Sequence, residues 1–210
     1  MADPYQIPLS ADNITSYLEK VRDASITIAD NSKLVRNSAI YNKFAATDAS
    51  VAKLAALLNI VQAVKTDTFE NLDPNNVWLD IPDLSLTITP VFSGSKILLD
   101  ASVCSSTNHG AFGVVFRWVR NSSPIAVGDA AGSRTQASFT GGYTGNYANP
   151  SNSSRYLDTE ATSAGVPVVY KLQCTCETTV DVYINKSNVD SDETKSARGI
   201  STITAQEIPS

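Results

Sequence analysis

The sequence predicts an α+β protein, in which a short N-terminal helical segment precedes an antiparallel β-sandwich of jelly-roll type. Before about residue 66 the apolar residues recur at three- and four-residue spacings, which is typical of amphipathic helices. After it, apolar residues alternate with Ser and Thr in short runs separated by turn residues, which indicates half-buried strands. We therefore expect an N-terminal segment at 1–46, a helical neck at 47–66 and a β-sandwich head at 67–210.

The neck is predicted from four apolar residues spaced three, four and three apart, which are Val51, Leu54, Leu58 and Val61. This is a coiled-coil seam of little more than one heptad. The same pattern fits an amphipathic helix that packs on its own domain, and the sequence does not separate the two readings. If the seam joins copies of the chain, four apolar layers are too few for independent stability, so the head must hold the oligomer together.

Seven strands are predicted in the head. Their inward residues are Leu84, Leu86 and Ile88; Ile97, Leu99, Ala101 and Val103; Phe112, Val114, Phe116 and Trp118; Ile125 and Val127; Val168, Tyr170, Leu172 and Cys174; Val180, Val182 and Ile184; and a closing strand over 200–208. Two stretches interrupt this rhythm: 129–156 is rich in Gly, Ser, Asn, Ala and Tyr, and 186–198 is charged and polar. Loops longer than about 15 residues in a compact domain usually carry function or are disordered.

Composition argues against several classes of partner. The net charge is −5 and the basic residues are scattered singly, so we do not expect nucleic-acid binding. No apolar run approaches the roughly 20 residues of a membrane helix, and the N-terminus lacks the basic and apolar regions of a signal peptide. We expect synthesis in a cytoplasm and release by another route, such as lysis.

The three cysteines are expected to be reduced and buried. Cys174 and Cys176 lie two apart in an alternating apolar segment, so they point to one face of a strand, and free cysteine is among the most buried residue types. The alternative adds Cys104 and the only histidine, His109, to give a Cys3His zinc site. The Cys-x-Cys and Cys-x4-His spacings are weak signals, so we expect no metal.

No catalytic motif is present, and we expect neither enzymatic activity nor a cofactor. The sequence has no Gly-x-Ser-x-Gly elbow, no P-loop and no dinucleotide-binding fingerprint. Four carboxylates could in principle supply a glycosidase pair, but we expect them to be solvated turn residues: Asp100, Asp129, Asp158 and Glu160. A depolymerase of the usual fibre type would also need a long repetitive β-solenoid, and the sequence has no internal repeat.

Several segments of the head resemble one family. The segments are LSLTITP, SKILLDASV, FRWVRNSSPIAVGDAAGSR, VVYKLQC, VDVYINKS and the closing GISTITAQEI. Together they resemble the β-rich head domain of bacteriophage tail-fibre and virion-appendage proteins of marine and cyanobacterial phages, over residues 64–208. The resemblance implies a homotrimer on the virion that often contacts the host surface. The first 60 residues stand where a segment that docks on other virion proteins would lie. A capsid decoration protein, head fibre or tail connector remains the alternative.

A receptor-binding loop is predicted between Phe139 and Tyr156. It carries Phe139, Tyr143, Tyr147 and Tyr156 among Gly, Ser and Asn, which is the composition of adaptable recognition loops. Aromatic rings stack on sugar faces and small polar residues bind hydroxyls, so a host surface glycan or protein is the expected ligand. The alternative is that these rings pack back onto the sheet or across a trimer axis.

Overall fold

The computed structural model describes Asn42, Ala45, Asp48, Val51, Leu54 and residues 59–141 and 146–210. The chain divides into two compact units, residues 1–49 and 50–210, and every described strand lies in the second. The strands are β1 Ile60–Lys65, β2 Phe69–Asn71, β3 Leu79–Ile88, β4 Lys96–Thr107, β5 Val115–Arg120, β6 Ser123–Ile125, β7 Phe139–Thr140, β8 Ser151–Asp158, β9 Val168–Thr175, β10 Val182–Ile184 and β11 Ser201–Ile208. Among the described residues, no helix has the length and apolar character needed to cross a membrane.

The strands form two antiparallel sheets, of six and five strands. In the six-stranded sheet β4 is central: β8 pairs along one edge, while β11 and then β10 pair along the other. β1 adds outside β11, and β2 adds outside β10. The five-stranded sheet runs β3-β9-β5, with the short β6 and β7 both paired to β5. Successive long strands alternate between the sheets, as the predicted sandwich requires.

One hydrophobic core fills the space between the sheets, and it consists of the residues that alternation predicted to point inward. The predicted inward residues of β3, β4, β9 and β10 are all buried, as are Val114, Phe116 and Trp118 at β5. Ile203 and Ala205 of β11 complete the core. The prediction of an antiparallel β-rich head is confirmed, because β-branched and aromatic residues at every second position can bury one face of a pleated strand.

The helical neck predicted over 47–66 does not extend through β1. Residues 60–65 form a strand that pairs with β11 over six residues, and Val61 packs against the core of the sandwich. The segment IVQAVK is apolar at its first, second, fourth and fifth positions, so it fits a helical and a strand period equally well. Val51 and Leu54 have helical backbone and are exposed, whereas Leu58 lies outside the described residues.

The stretch 129–156, predicted as a loop, contains β7 and most of β8. β8 pairs with β4 over eight residues. Its inward residues Asn152, Ser154, Tyr156 and Asp158 are mostly polar, so no hydrophobic alternation marks the strand. Two smaller corrections concern strand ends: Phe112 is exposed and precedes β5, and β6 stops at Ile125 before Val127.

Candidate binding surface at the loop end of the sandwich

The six-stranded sheet has two ends with different roles. The chain enters it at Asn59, whose carbonyl accepts a hydrogen bond from the Glu207 backbone N–H at 3.0 Å. Ser201, at the start of β11, lies at the opposite end, roughly 20 Å away at about 3.3 Å per strand residue. We call the end at Asn59 and Glu207 the neck end, and the end where β8 and β11 begin the loop end.

Glu207 fixes the neck end. Its buried carboxylate accepts hydrogen bonds from the Ser95 hydroxyl at 2.6 Å, the Asn59 side-chain amide at 2.8 Å, and the backbone N–H groups of Val91 at 2.8 Å and Phe92 at 3.0 Å. Burial alone would raise the pKa of this carboxyl, but the four donors outweigh it and hold the pKa below its ordinary value. The carboxylate thus ties the incoming chain to the loop after β3 and to the last strand.

At the loop end, the two stretches that interrupt the strand pattern meet. The Val189 backbone N–H donates to the Asn146 carbonyl at 2.8 Å, and the Asn149 amide donates to the Ala197 carbonyl at 3.2 Å. Residues 146–149 and 186–199 therefore form one surface, which we call the two-loop surface. The predicted recognition loop contributes residues 146–149, just before β8, to this surface, and the charged stretch contributes the remainder.

Tyr147 is the exposed aromatic residue of the two-loop surface. The Lys195 ammonium lies 4.2 Å from its ring centroid, a cation–π distance, and pairs with Glu193 at 2.6 Å. The Glu193 carboxylate, and then the Tyr147 hydroxyl, raise the pKa of Lys195. The exposed ring beside the Lys195–Glu193 pair provides stacking and charge within one small area.

The charged loop is internally ordered. Asp190 pairs with Arg198 at 2.6 Å and faces Lys186 at 3.9 Å, and the Ser196 hydroxyl donates to the Val189 carbonyl at 3.0 Å. Exposed ion pairs contribute little each, about 0–1 kcal/mol, but several within fourteen residues restrict the conformations of the loop. The loop therefore presents its side chains from a defined backbone.

Asn185 connects the base of the two-loop surface to the six-stranded sheet. Its buried amide donates to the carbonyls of Lys65 and Asp67, each at 2.9 Å, and its side-chain oxygen accepts from the Ser201 hydroxyl at 2.6 Å. The backbone is left-handed, with φ of 62°, a conformation that Asn tolerates better than most residues. Beside it, a Cβ at Gly199 would lie 2.7 Å from the Cys104 sulfur. The sequence contained both residues, but no local pattern marked their roles.

Two of the other predicted receptor residues, Phe139 and Tyr156, lie elsewhere. Phe139 stacks on Phe116 with ring centroids 4.8 Å apart, and Tyr156 packs against the core. Tyr143 lies outside the described residues. Phe139 and Tyr156 thus pack on the sandwich, as in the alternative reading, and of the three described aromatics Tyr147 is the one that lies on the two-loop surface.

Asp158 is not the solvated turn residue expected from the sequence. It is buried, accepts a hydrogen bond from the Tyr170 hydroxyl at 2.6 Å, and pairs with Arg120 at 3.3 Å, which also pairs with Glu160. Burial and then the hydrogen bond to Asp158 raise the pKa of Tyr170. The cluster joins β8 to β5 and β9 across the core. Asp100, in contrast, lies on the outer face of β4 and pairs with Arg155 at 2.7 Å.

The structure does not assemble the alternative zinc site. Cys174 is buried on β9, and burial raises its pKa to about 12. The Cys176 thiol donates to the Gly113 carbonyl at 3.2 Å, Cys104 lies in the other sheet, and His109 contacts Phe112 in the turn after β4. Across the part of the chain that the structure describes, no three His, Cys, Asp or Glu side chains are placed to share a metal ion.

Comparisons with known proteins give distant structural similarity only. No protein-family model matches the chain, and no curated protein matches it. The solved structures similar to it include Eiger TNF from S. frugiperda, with 11% identity, 72% of this chain and 94% of that chain covered, and a TM-score of 0.30. A chain of infectious bursal disease virus Gx strain is 9% identical, with 72% and 37% covered and a TM-score of 0.32.

The enzymatically active domain of tailspike protein 4 of bacteriophage CBA120 is 11% identical, with 75% and 20% covered and a TM-score of 0.18. Two of these three neighbours are thus viral proteins, and this chain spans little more than a third of one and a fifth of the other. At such TM-scores the similarities carry no argument about function. The resemblance to phage fibre heads therefore depends on the sequence segments alone.

Proposed function

We propose that this chain is a non-catalytic structural protein of a bacteriophage virion, a short trimeric fibre or appendage that contacts the host through the two-loop surface. The observation that supports this most directly is that the two ends of the head have different roles. The chain enters at Asn59, and the two-loop surface lies at the opposite end of the same sheet. An appendage needs this arrangement, because it is held at one end and presents its binding residues at the other.

The chemistry of the two-loop surface suits a glycan or a polar protein surface. Tyr147 is 39% exposed, so its ring remains partly available to a ligand beside Lys195. Ring faces stack on sugar rings, while Asn149 and the charged groups of Glu193 and Lys195 are hydrogen-bonding partners for hydroxyl groups. Docking on other virion proteins is assigned to residues 1–46, which leaves the head free to face outward.

The test is adsorption of particles that carry Tyr147→Ala, alone and combined with Tyr143→Ala. We expect normal assembly and an unchanged melting temperature, with adsorption to host cells reduced at least tenfold. Phe112→Ala is the matched control, since Phe112 is an aromatic of similar exposure, 42%, outside the two-loop surface. Unchanged adsorption by stable, well-incorporated Tyr147 variants would show that the two-loop surface does not bind the host. The purely structural alternative, a decoration protein or connector, would then remain.

A further inference from the structure

The outer faces of the two sheets differ in charge. On the outer face of the five-stranded sheet, Lys171 pairs with Asp80 at 2.6 Å, and Gln173 accepts a hydrogen bond from Arg117 at 2.7 Å. The Arg117 guanidinium also lies 4.3 Å from the centroid of the Trp78 ring. Charges that are linked in this way and partly exposed are typical of a face that stays in water.

The outer face of the six-stranded sheet is mostly uncharged. The strand registers place its side chains in three rows across β1, β11, β4 and β8, which are Ile60, Gln206, Leu98 and Leu157; Gln62, Thr204, Asp100 and Arg155; and Val64, Thr202, Ser102 and Ser153. We call these twelve residues the neutral sheet face. Three aliphatic residues on it are exposed, Ile60 by 53%, Val64 by 46% and Leu157 by 39%.

The neutral sheet face contains only one acidic and one basic residue, and they neutralise each other. Asp100 and Arg155 lie opposite one another in the register and pair at 2.7 Å. Protein interfaces are depleted of charged residues, whereas apolar area alone does not mark them. The two charges of this face lie in its middle row, but they pair with each other, so the face brings no unpaired charge to a contact. Because the face carries no net charge, the same face of three copies can be brought together around a threefold axis without charge repulsion.

We propose that the neutral sheet face is where copies of this chain contact each other, an inference that rests on the trimer of the proposed function. β1, which forms one edge of the face, starts directly after Asn59, where the chain arrives from the exposed helical positions Val51 and Leu54. The contact in the head thus continues along the chain from the predicted neck. A second copy is the occupant that this continuity favours.

The size of the neutral sheet face defines how much of the contact it supplies. Four strands about 4.8 Å apart and six residues long span roughly 19 by 20 Å, or about 400 Å² in projection. A stable interface of standard size buries about 800 Å² of accessible surface on each partner. The face therefore supplies about half of a standard contact, and the apolar residues of the neck would have to supply part of the remainder.

The test places the same charge on each outer face. Thr204 is in the middle row of the neutral sheet face, and Thr87 is on the outer face of β3 in the other sheet. Wild-type protein and the Thr87→Arg variant should be trimers by light scattering at micromolar concentration. Thr204→Arg should be a folded monomer with the same circular dichroism spectrum, because three arginines would otherwise be buried together. Gln62→Arg, on the exposed edge strand of the same row, should give the same result without disturbing the interior.

The outcomes separate the two proposals. If Gln62→Arg and every folded Thr204→Arg sample remain trimers as stable as wild type, the neutral sheet face is not the contact, although the trimeric appendage stands. A monomeric wild-type protein would overturn the trimer itself, and with it this assignment. Dissociation of the Thr87→Arg control to the same extent would also refute the choice of face.

Discussion

Replacing Asn185 by alanine should remove the junction under the two-loop surface. The substitution deletes three side-chain hydrogen bonds, to Lys65, Asp67 and Ser201, at 2.6–2.9 Å in a fully buried site. At about 1 kcal/mol net for each bond this is about 3 kcal/mol. Alanine at a φ of 62° adds about 1 kcal/mol, so unfolding should become easier by about 4 kcal/mol. For a chain of this size that lowers the melting temperature by roughly 8–16 °C.

Thermal denaturation followed by circular dichroism measures this effect. Two control variants separate the contribution of the hydrogen bonds from that of the left-handed backbone. Asn185→Gly keeps the backbone conformation and loses only the bonds, so it should recover about 1 kcal/mol. Asn121→Ala changes an asparagine of similar φ, 53°, in the exposed turn between β5 and β6, where its side chain accepts one bond from Val169 at 3.1 Å. If Asn185→Ala melts no lower than Asn121→Ala, the role assigned to Asn185 is wrong.

Three further predictions follow from buried groups. Glu207→Gln should lower the melting temperature at pH 7. The pKa of Glu207 in the folded protein lies below its ordinary value of 4.5, so the stability that the carboxylate contributes is present above pH 4.5 and is lost as the pH falls through the folded pKa. The melting temperatures of the two proteins should therefore converge in acid, and a difference that does not depend on pH would contradict this. Tyr170→Phe should cost about 1.5–3 kcal/mol by denaturant unfolding, since it removes a hydrogen bond to the buried Asp158 carboxylate, and a cost below 0.5 kcal/mol would show that the bond is not formed. Cys174 should resist iodoacetamide in the native protein and react only after denaturation, because its thiol is buried with a pKa of about 12; stoichiometric labelling of Cys174 in the native state would show that β9 opens.

The sequence was informative where one face of a strand is apolar. The inward face of β4 was predictable, because Ile97, Leu99, Ala101 and Val103 stand at every second position, and all four are buried. β8 was missed for the opposite reason, since its inner face is polar. Ser154 accepts a hydrogen bond from the Trp118 indole at 3.3 Å, and this bond satisfies a donor of the opposite sheet. Periodicity detects burial of apolar groups and does not detect such polar pairing across a core.

The candidate site was predictable only in part. Tyr147 was singled out because Tyr among Gly, Ser and Asn indicates a recognition loop. The contact between the two loops was not predictable from the sequence. It depends on backbone hydrogen bonds, such as that from Val189 to Asn146, and these produce no pattern of side chains. The prediction of a helical neck was wrong at β1, because the apolar residues of the IVQAVK segment fit both the helical and the strand period. Pairing with β11, more than 130 residues away, decides between the two structures.

The central claim, that this chain is an appendage of a virion, is tested most directly by its position on particles. A peptide tag after Ser210 at the C-terminus of the head, detected with gold-conjugated antibody on purified phage by electron microscopy, reports that position. The proposed function predicts gold on projections of the particle, with three tags in each projection. Purified particles without gold, from cells in which the tagged protein is abundant and soluble, would contradict it.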